Sequence, residues 1–301
     1  MIKISVVISA FNEEKMIGDC LKSIGTLADE IIVVDNTSSD NTAKIAKKYT
    51  KNIFTVPNDP VMLNKNKNYG FGKTTGQWIL SLDADERVTP ELAKEIKKVT
   101  NNKGVNGFEI PRKNIIFGKW IQHSIWWPDY NLRLFRKNHG RFQERHVHEK
   151  LHVDGKISKL QNPLIHYNYQ TVSQFIKKMD NTYTESEVTN FIKSGKSIYW
   201  YDAIRFPLND FLKTFFAQNG YRDGMHGLVL SILQSFYSFI VFAKIWERKE
   251  DFKDITPNKF LESFIKEIKF GSKDLKYWIY TALIEESKFN KVIYKLKRKF
   301  R

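Results

Sequence analysis

Over residues 3–85, short β-branched runs alternate with amphipathic helical stretches, and no other feature constrains the fold as strongly. Residues 3–8, 30–35, 53–56 and 78–82 are apolar without strict alternation, the pattern of strands buried on both faces. Between the first two, Met16, Ile17, Leu21 and Ile24 recur at helical spacing; further helices are expected from Asn41 and over residues 66–75. Strand–helix–strand repetition at these lengths predicts an α/β fold with a mostly parallel, doubly wound (Rossmann-like) sheet flanked by helices. Ligands on such sheets bind beyond the carboxyl ends of the strands. Asp35 ends the second strand and Asp83-Ala84-Asp85 follows the fourth, so acidic residues gather where a ligand is expected.

Past residue 105 the texture changes to short strands rich in Arg, His and aromatics. Residues 151–157 read as a hairpin around Asp154-Gly155. From Thr171 onward the pattern is helical, which divides the chain into residues 1–166 and a helical C-terminal extension, residues 167–301. The longest uncharged stretch, Gly227–Ala243, has 17 residues and a polar stripe of Ser231, Gln234, Ser235 and Ser238. That falls short of the ~20 apolar residues of a spanning helix, so a buried or interfacial helix is expected. The tail from Lys288 to Arg301 carries seven basic residues and no acid, interleaved with Val292, Ile293, Tyr294, Leu296 and Phe300. Such a tail suits an anionic membrane surface as partner, or is an ordinary solvated terminus.

Two carboxylates one residue apart at a strand end, Asp83 and Asp85, form a hard-oxygen site suited to Mn²⁺ or Mg²⁺, ions that also bridge diphosphate oxygens. The aromatic group Trp120, Trp126, Trp127 and Tyr130 precedes basic residues including Arg133 and Arg136. Aromatic faces stack on sugar rings and Arg grips phosphates or carboxylates, so Trp126, Trp127, Arg133 and Arg136 are candidate acceptor contacts; hydrophobic core is the alternative for the aromatics.

The segments Val6–Glu14, Ile32–Asp35 with its Ser/Thr/Asp loop, and Gly76–Glu86 occur in order and at distances that resemble family 2 inverting glycosyltransferases of the GT-A fold. Leu132–Arg136, His148–Leu151 and Arg222–Gly227 extend the resemblance to the branch containing lipopolysaccharide-core glucosyltransferases. The resemblance implies a nucleotide-sugar donor, and a glycan or lipid-linked acceptor. Ser9, Phe11 and Glu13 would line the nucleotide pocket, Asp35 would bind the base (typically uracil), Lys67 would lie near the donor phosphates, Asp83 by the ribose and metal, and Asp85 would ligate the metal. Glu149 falls where the family places its general base, with Glu144 as the alternative. Two departures stand out: the loop after Asp35 reads Asn-Thr-Ser-Ser-Asp instead of the commoner Ser-Gly-Ser-Thr-Asp, and Lys67 stands where Arg is usual.

Net charge is +16, from 49 basic and 33 acidic residues, which favours a polyanionic partner or a phosphate-bearing substrate. No nucleic-acid-binding motif accompanies the charge, so nucleic acid is not expected as a partner. His148-Glu149-Lys150-Leu151-His152 matches the H-E-x-x-H zinc motif, but the motif needs a helix. In the strand-like setting here the two histidines would stand ~13 Å apart. A non-catalytic nucleotide-sugar-binding regulator is opposed by the acids Asp83, Asp85 and Glu149. A single cysteine, Cys20, and no recognisable signal peptide fit a cytoplasmic setting, peripheral on the inner membrane face if the tail binds lipid. Oligomeric state is left open by the sequence.

Overall fold

A computed structural model describes residues 2–59, 63–144, 150–287 and 289–299. The chain forms two compact units, residues 1–120 with 126–170, and residues 121–125 with 171–301. In the first unit, β1 (Ile4–Ala10), α1 (Ile17–Ile24), β2 (Glu30–Asp35), α2 (Thr42–Ala46), β3 (Asn52–Thr55), α3 (Leu63–Gly72) and β4 (Trp78–Asp83) realise the predicted alternation. β3, β2, β1 and β4 lie side by side in that order and are all parallel. A tight turn leads to β5 (Glu86–Val88) and α4 (Pro90–Val99), followed by β6 (Gly107–Ile116), β7 (Lys119–Trp120) and β8 (Asp129–Arg136). β9 (Gly140–Arg141), β10 (His152–Val153), β11 (Ile157–Lys159) and β12 (Leu164–Tyr167) complete the unit. The ten-stranded sheet continues from β4 through antiparallel β8, then β6, β12 and β5.

Both faces of the parallel half are buried, for the reason its strands lack alternation. Ile4, Val6 and Ile8 of β1 pack with Ile17, Cys20, Leu21 and Ile24 of α1 and with Leu92 and Ile96 of α4. Val7, between them, points to a second cluster with Phe71, Ile79 and Phe135. Cys20 is a buried helix residue, and burial pushes its thiol pKa up. α4 starts where Thr89 Oγ1 accepts from Leu92 N at 3.1 Å and Pro90 opens the first turn.

The expected hairpin at residues 151–157 is not formed. β10 pairs antiparallel with β9, and β11 pairs parallel with β6. Asp154-Gly155 does turn the chain, with Gly155 at φ +102°. The turn is held instead by Asn106, whose Nδ2 donates to Asp154 O at 2.8 Å and whose N donates to Lys156 O at 2.8 Å. These outside donors draw its two arms to different strands.

The second unit is helical: α5 (Val172–Lys178), α6 (Thr184–Lys193), α7 (Asp202–Phe211), α8 (Met225–Glu250), α9 (Phe260–Glu286) and α10 (Lys291–Lys299). A core of Val188, Ile198, Val241, Phe242 and Ile245 joins α6 to α8. Asp223 is buried and accepts from the backbone N of Gln122 and His123, at 3.1 and 2.9 Å. α8 runs past the uncharged stretch at both ends. With 26 residues, it is the one helix among the described residues long and apolar enough to cross a membrane by length and composition. The helix outruns the 17-residue uncharged stretch because Met225, His226 and the largely charged residues up to Glu250 extend it.

Candidate functional site

Strand register brings the predicted acids to one edge. Ser9 of β1 pairs with Asp83 of β4, and Ala10 pairs with Asp35 of β2, so all lie at the carboxyl ends of adjacent parallel strands. The loops after β1 and β2 are laced together. Asn12 N donates to Ser38 Oγ at 3.0 Å, Ser39 N donates to Asn12 Oδ1 at 2.8 Å, and Glu13 N donates to Thr42 Oγ1 at 2.7 Å. Asn36 Nδ2 donates to Ser9 Oγ at 3.0 Å, and Asn66 of α3 donates to Asn36 Oδ1 at 2.9 Å. Asp35 is buried beneath this lacing while Phe11 is exposed at its mouth. Thr37 stands at φ +58°, at the position where the resemblance expects Gly. A β-branched residue is strained there, and its Oγ1 donates to Val56 O at 2.7 Å in partial compensation.

Asp83 and Asp85 have different surroundings. Asp83 Oδ1 accepts from Lys67 Nζ at 2.6 Å, and Oδ2 accepts from Arg133 Nη2 at 2.5 Å. Arg133 also donates to Glu86 Oε1 at 2.7 Å, and the second Glu86 oxygen accepts from Asp83 N at 2.9 Å. Burial alone would raise the Asp83 carboxyl, but the charges of Arg133 and Lys67 outweigh it and hold the group well below the usual carboxylate range. Burial likewise opposes the Arg133 cation, and Asp83 and Glu86 overcome it, raising its pKa.

Asp85 sits in the turn between β4 and β5, facing His166 of β12. His166 Nε2 is 3.5 Å from Asp85 Oδ2. The strands set this up: β12 runs antiparallel to β5 with His166 opposite Glu86, and parallel to β6 with His166 opposite Asn114. Asn114 Nδ2 donates to the backbone oxygen of Trp126 at 2.8 Å and lies 3.2 Å from Asp129 Oδ2. Its Oδ1 therefore faces His166 Nδ1, 2.7 Å away, and Nδ1 must carry the proton. The ring then turns its Nε2 toward the Asp85 carboxylate. Carboxylate oxygen beside imidazole nitrogen suits Mn²⁺ or Mg²⁺ as part of a ligand set. Asp129 is fixed in turn by Arg112, whose Nε and Nη2 donate at 2.8 and 2.7 Å. No group of three or more His, Cys, Asp or Glu forms a complete metal cage among the described residues.

Of the predicted residues, Ser9, Asp35, Lys67, Asp83, Asp85 and Arg133 meet at this edge. Arg133 does so as a buried partner of Asp83 and Glu86, not as an exposed acceptor contact. Arg136 is not brought there: it pairs with Trp78 at the start of β4, donates to the backbone oxygens of Val105 and Asn102, and covers the Trp78 ring. The Trp126 ring packs edge-on against Tyr169, and Trp127 against Trp120. Glu149, with His148, lies outside the described residues. Glu144 accepts from Asn68 Nδ2 at 2.8 Å. His152 lies in β10, so H-E-x-x-H does not run as one helix, and its Nε2 is 3.0 Å from Asp154 Oδ1. His166 was not singled out by the sequence, since 81 positions separate it from Asp85 and no local spacing marks it.

A mostly parallel sheet flanked by helices, with its acids at the carboxyl edge, defines a GT-A-like fold. Residues 5–154 match the family model "Glycosyl transferase family 2". The chain belongs to this family of glycosyltransferases through that segment. It is 29% identical over 262 residues to an uncharacterised glycosyltransferase of Rickettsia typhi, covering 82% of this chain and 88% of the relative. It is 26% identical over 251 residues to the lipopolysaccharide core biosynthesis glycosyltransferase LpsC of Rhizobium meliloti, covering 81% and 92%. Among solved structures, residues 1–349 of Staphylococcus aureus TarS superpose with a TM-score of 0.43 at 15% identity, covering 80% of this chain and 91% of that one.

Proposed function

We propose that the protein is an inverting transferase that moves a hexose from a nucleotide-sugar, a UDP-sugar in the first instance, to a glycan or lipid-linked envelope acceptor. The observation that carries this reading is the Asp85–His166 pair at the carboxyl edge, with the imidazole Nε2 turned to the carboxylate by Asn114 at Nδ1. Asp85 and His166 would hold Mn²⁺ or Mg²⁺, which when bound neutralises charge on the departing nucleoside diphosphate. Asp35 would take the base in the pocket that Ser9, Phe11 and Glu13 border. Lys67 adds positive charge beside Asp83 for the donor phosphates, while Arg133 keeps Asp83 ionised from behind. The general base is assigned to Glu149 from the family resemblance; it would take the acceptor hydroxyl proton as that oxygen attacks the anomeric carbon. An envelope acceptor is supported by the named role of LpsC in lipopolysaccharide core biosynthesis.

The test is donor hydrolysis and transfer with UDP-, GDP- and dTDP-sugars, with Mn²⁺ or Mg²⁺ and with chelator. Turnover of at least one donor that stops in chelator is expected. Undiminished turnover in chelator would remove the metal from the reading, and turnover of none would overturn it.

A further inference from the structure

Helix α10 is mounted with its apolar side outward. Val292, Ile293 and Leu296 form one stripe and are 70%, 51% and 54% exposed, and Phe289 just before them is 92% exposed. The side that meets α9 is the polar one. Tyr294 stacks on Tyr280 with ring centroids 6.5 Å apart, while Arg298 lies 5.4 Å over the Tyr277 ring and donates to Thr281 Oγ1 at 3.2 Å. An amphipathic helix on a water-facing surface turns its apolar stripe toward the protein. Here the protein side is taken by Tyr294 and Arg298, and the apolar stripe is left to another medium.

The surrounding charge says which medium. Lys295, Lys297 and Lys299 flank the stripe, and residues 288–301 contain seven basic residues and no acid. The acids that close α9, Glu285 and Glu286, are taken by Arg222 at 3.6 and 2.9 Å. A second copy docked on this face would bring lysines against lysines. We infer that α10 docks on an anionic lipid surface, lying in the interface with Val292, Ile293, Leu296 and Phe289 inserted and the lysines at the headgroups.

The experiment is flotation of the full-length protein with vesicles of mixed phosphatidylglycerol and phosphatidylcholine, and of phosphatidylcholine alone. Binding to the anionic vesicles is expected at low salt, with loss at high salt. Lys295→Gln and Lys297→Gln should each weaken it roughly fivefold. Val292→Ser with Leu296→Ser should weaken it by about tenfold or more without altering the helical circular dichroism, because both side chains face outward. An environment-sensitive dye on Phe289→Cys, with Cys20 buried and unreactive, should shift to the blue on the same vesicles. Failure of the intact protein to float, an unshifted dye, or serine variants that bind like wild type would overturn the inference. So would a dimer that the serine variants dissolve, or binding to duplex DNA as tight as to the anionic vesicles.

Discussion

Asp83 and Asp85 stand one residue apart and have different work. Asp83 has both oxygens engaged by Lys67 and Arg133, so it is part of a fixed ionic frame. Asp85 faces an imidazole whose ring is oriented from behind by Asn114. This asymmetry gives a graded expectation. Asp85→Asn and His166→Ala should each reduce transfer by roughly a hundredfold or more, because each would remove one of the two proposed metal ligands. Asn114→Ala should act through His166, weakening Mn²⁺ affinity about 10–100-fold while saturating metal restores much of the rate. Transfer rate against Mn²⁺ concentration separates the cases. An Asn114→Ala variant with unchanged Mn²⁺ dependence would show that the histidine needs no orientation from that side chain.

Among the elements, α3 is the one whose fit delivers a site residue. Gly70 lets it settle on the sheet: a Cβ there would stand 2.6 Å from Val7 Cγ1 and 2.9 Å from Val34 Cγ2. Lys67 lies one turn earlier on the same helix and reaches Asp83 from this seat. Gly70→Ala should therefore cost about 1–3 kcal/mol by overpacking, read as a lower melting temperature, and should weaken donor binding as well. Unchanged melting would mean that the two valines yield freely. In the helical unit, Glu185 of α6 is held to α8 by Arg248 and Lys244 at 2.7 and 2.8 Å. Their hydrogen bonds lower its pKa from 4.5 to about 2. A depressed carboxylate contributes stability above its unfolded pKa, and that contribution is lost as pH falls through the folded value. Glu185→Gln should thus melt below wild type at pH 7, and the difference should close between pH 4.5 and about 2. The effect is expected to be under about 1 kcal/mol, since the side chain is partly exposed. A difference independent of pH would assign the loss to packing.

At the scale of the whole molecule, donor and acceptor chemistry are expected to separate. Glu149→Gln should lower transfer by ~10²–10⁴ through loss of the proposed general base, and donor affinity should persist because the proposed nucleotide and metal contacts, Asp35 and Asp85, are left intact. His152→Ala should keep most activity, since His152 is bound to Asp154 in a short strand. Rates and donor affinities of both variants, measured together, decide the matter. A Glu149→Gln variant with wild-type rates would move the base elsewhere, with Glu144 next in line. Collapse of both with loss of bound zinc would replace the mechanism by a zinc-dependent one.

The parallel half of the sheet was legible because its information is local. Unalternating β-branched runs, helical spacing of Ile17, Leu21 and Ile24, and acids at strand ends fix element type and the edge where Asp35, Asp83 and Asp85 gather. Pairing between distant strands was not legible in this way. The turn at Asp154-Gly155 was visible, but Asn106, far away in the chain, decided that its arms do not pair. Arg133 and Arg136 looked alike in sequence, and the register of β8 against β4 sent them to opposite ends of the sheet. His166 acquired its place from two neighbours at once, β5 and β6, which no spacing along the chain encodes. In α10 the amphipathic pattern was plain. Which side meets water was decided by Tyr277, Tyr280 and Thr281 of α9, because only a packed neighbour can claim the polar face and leave the apolar one outside.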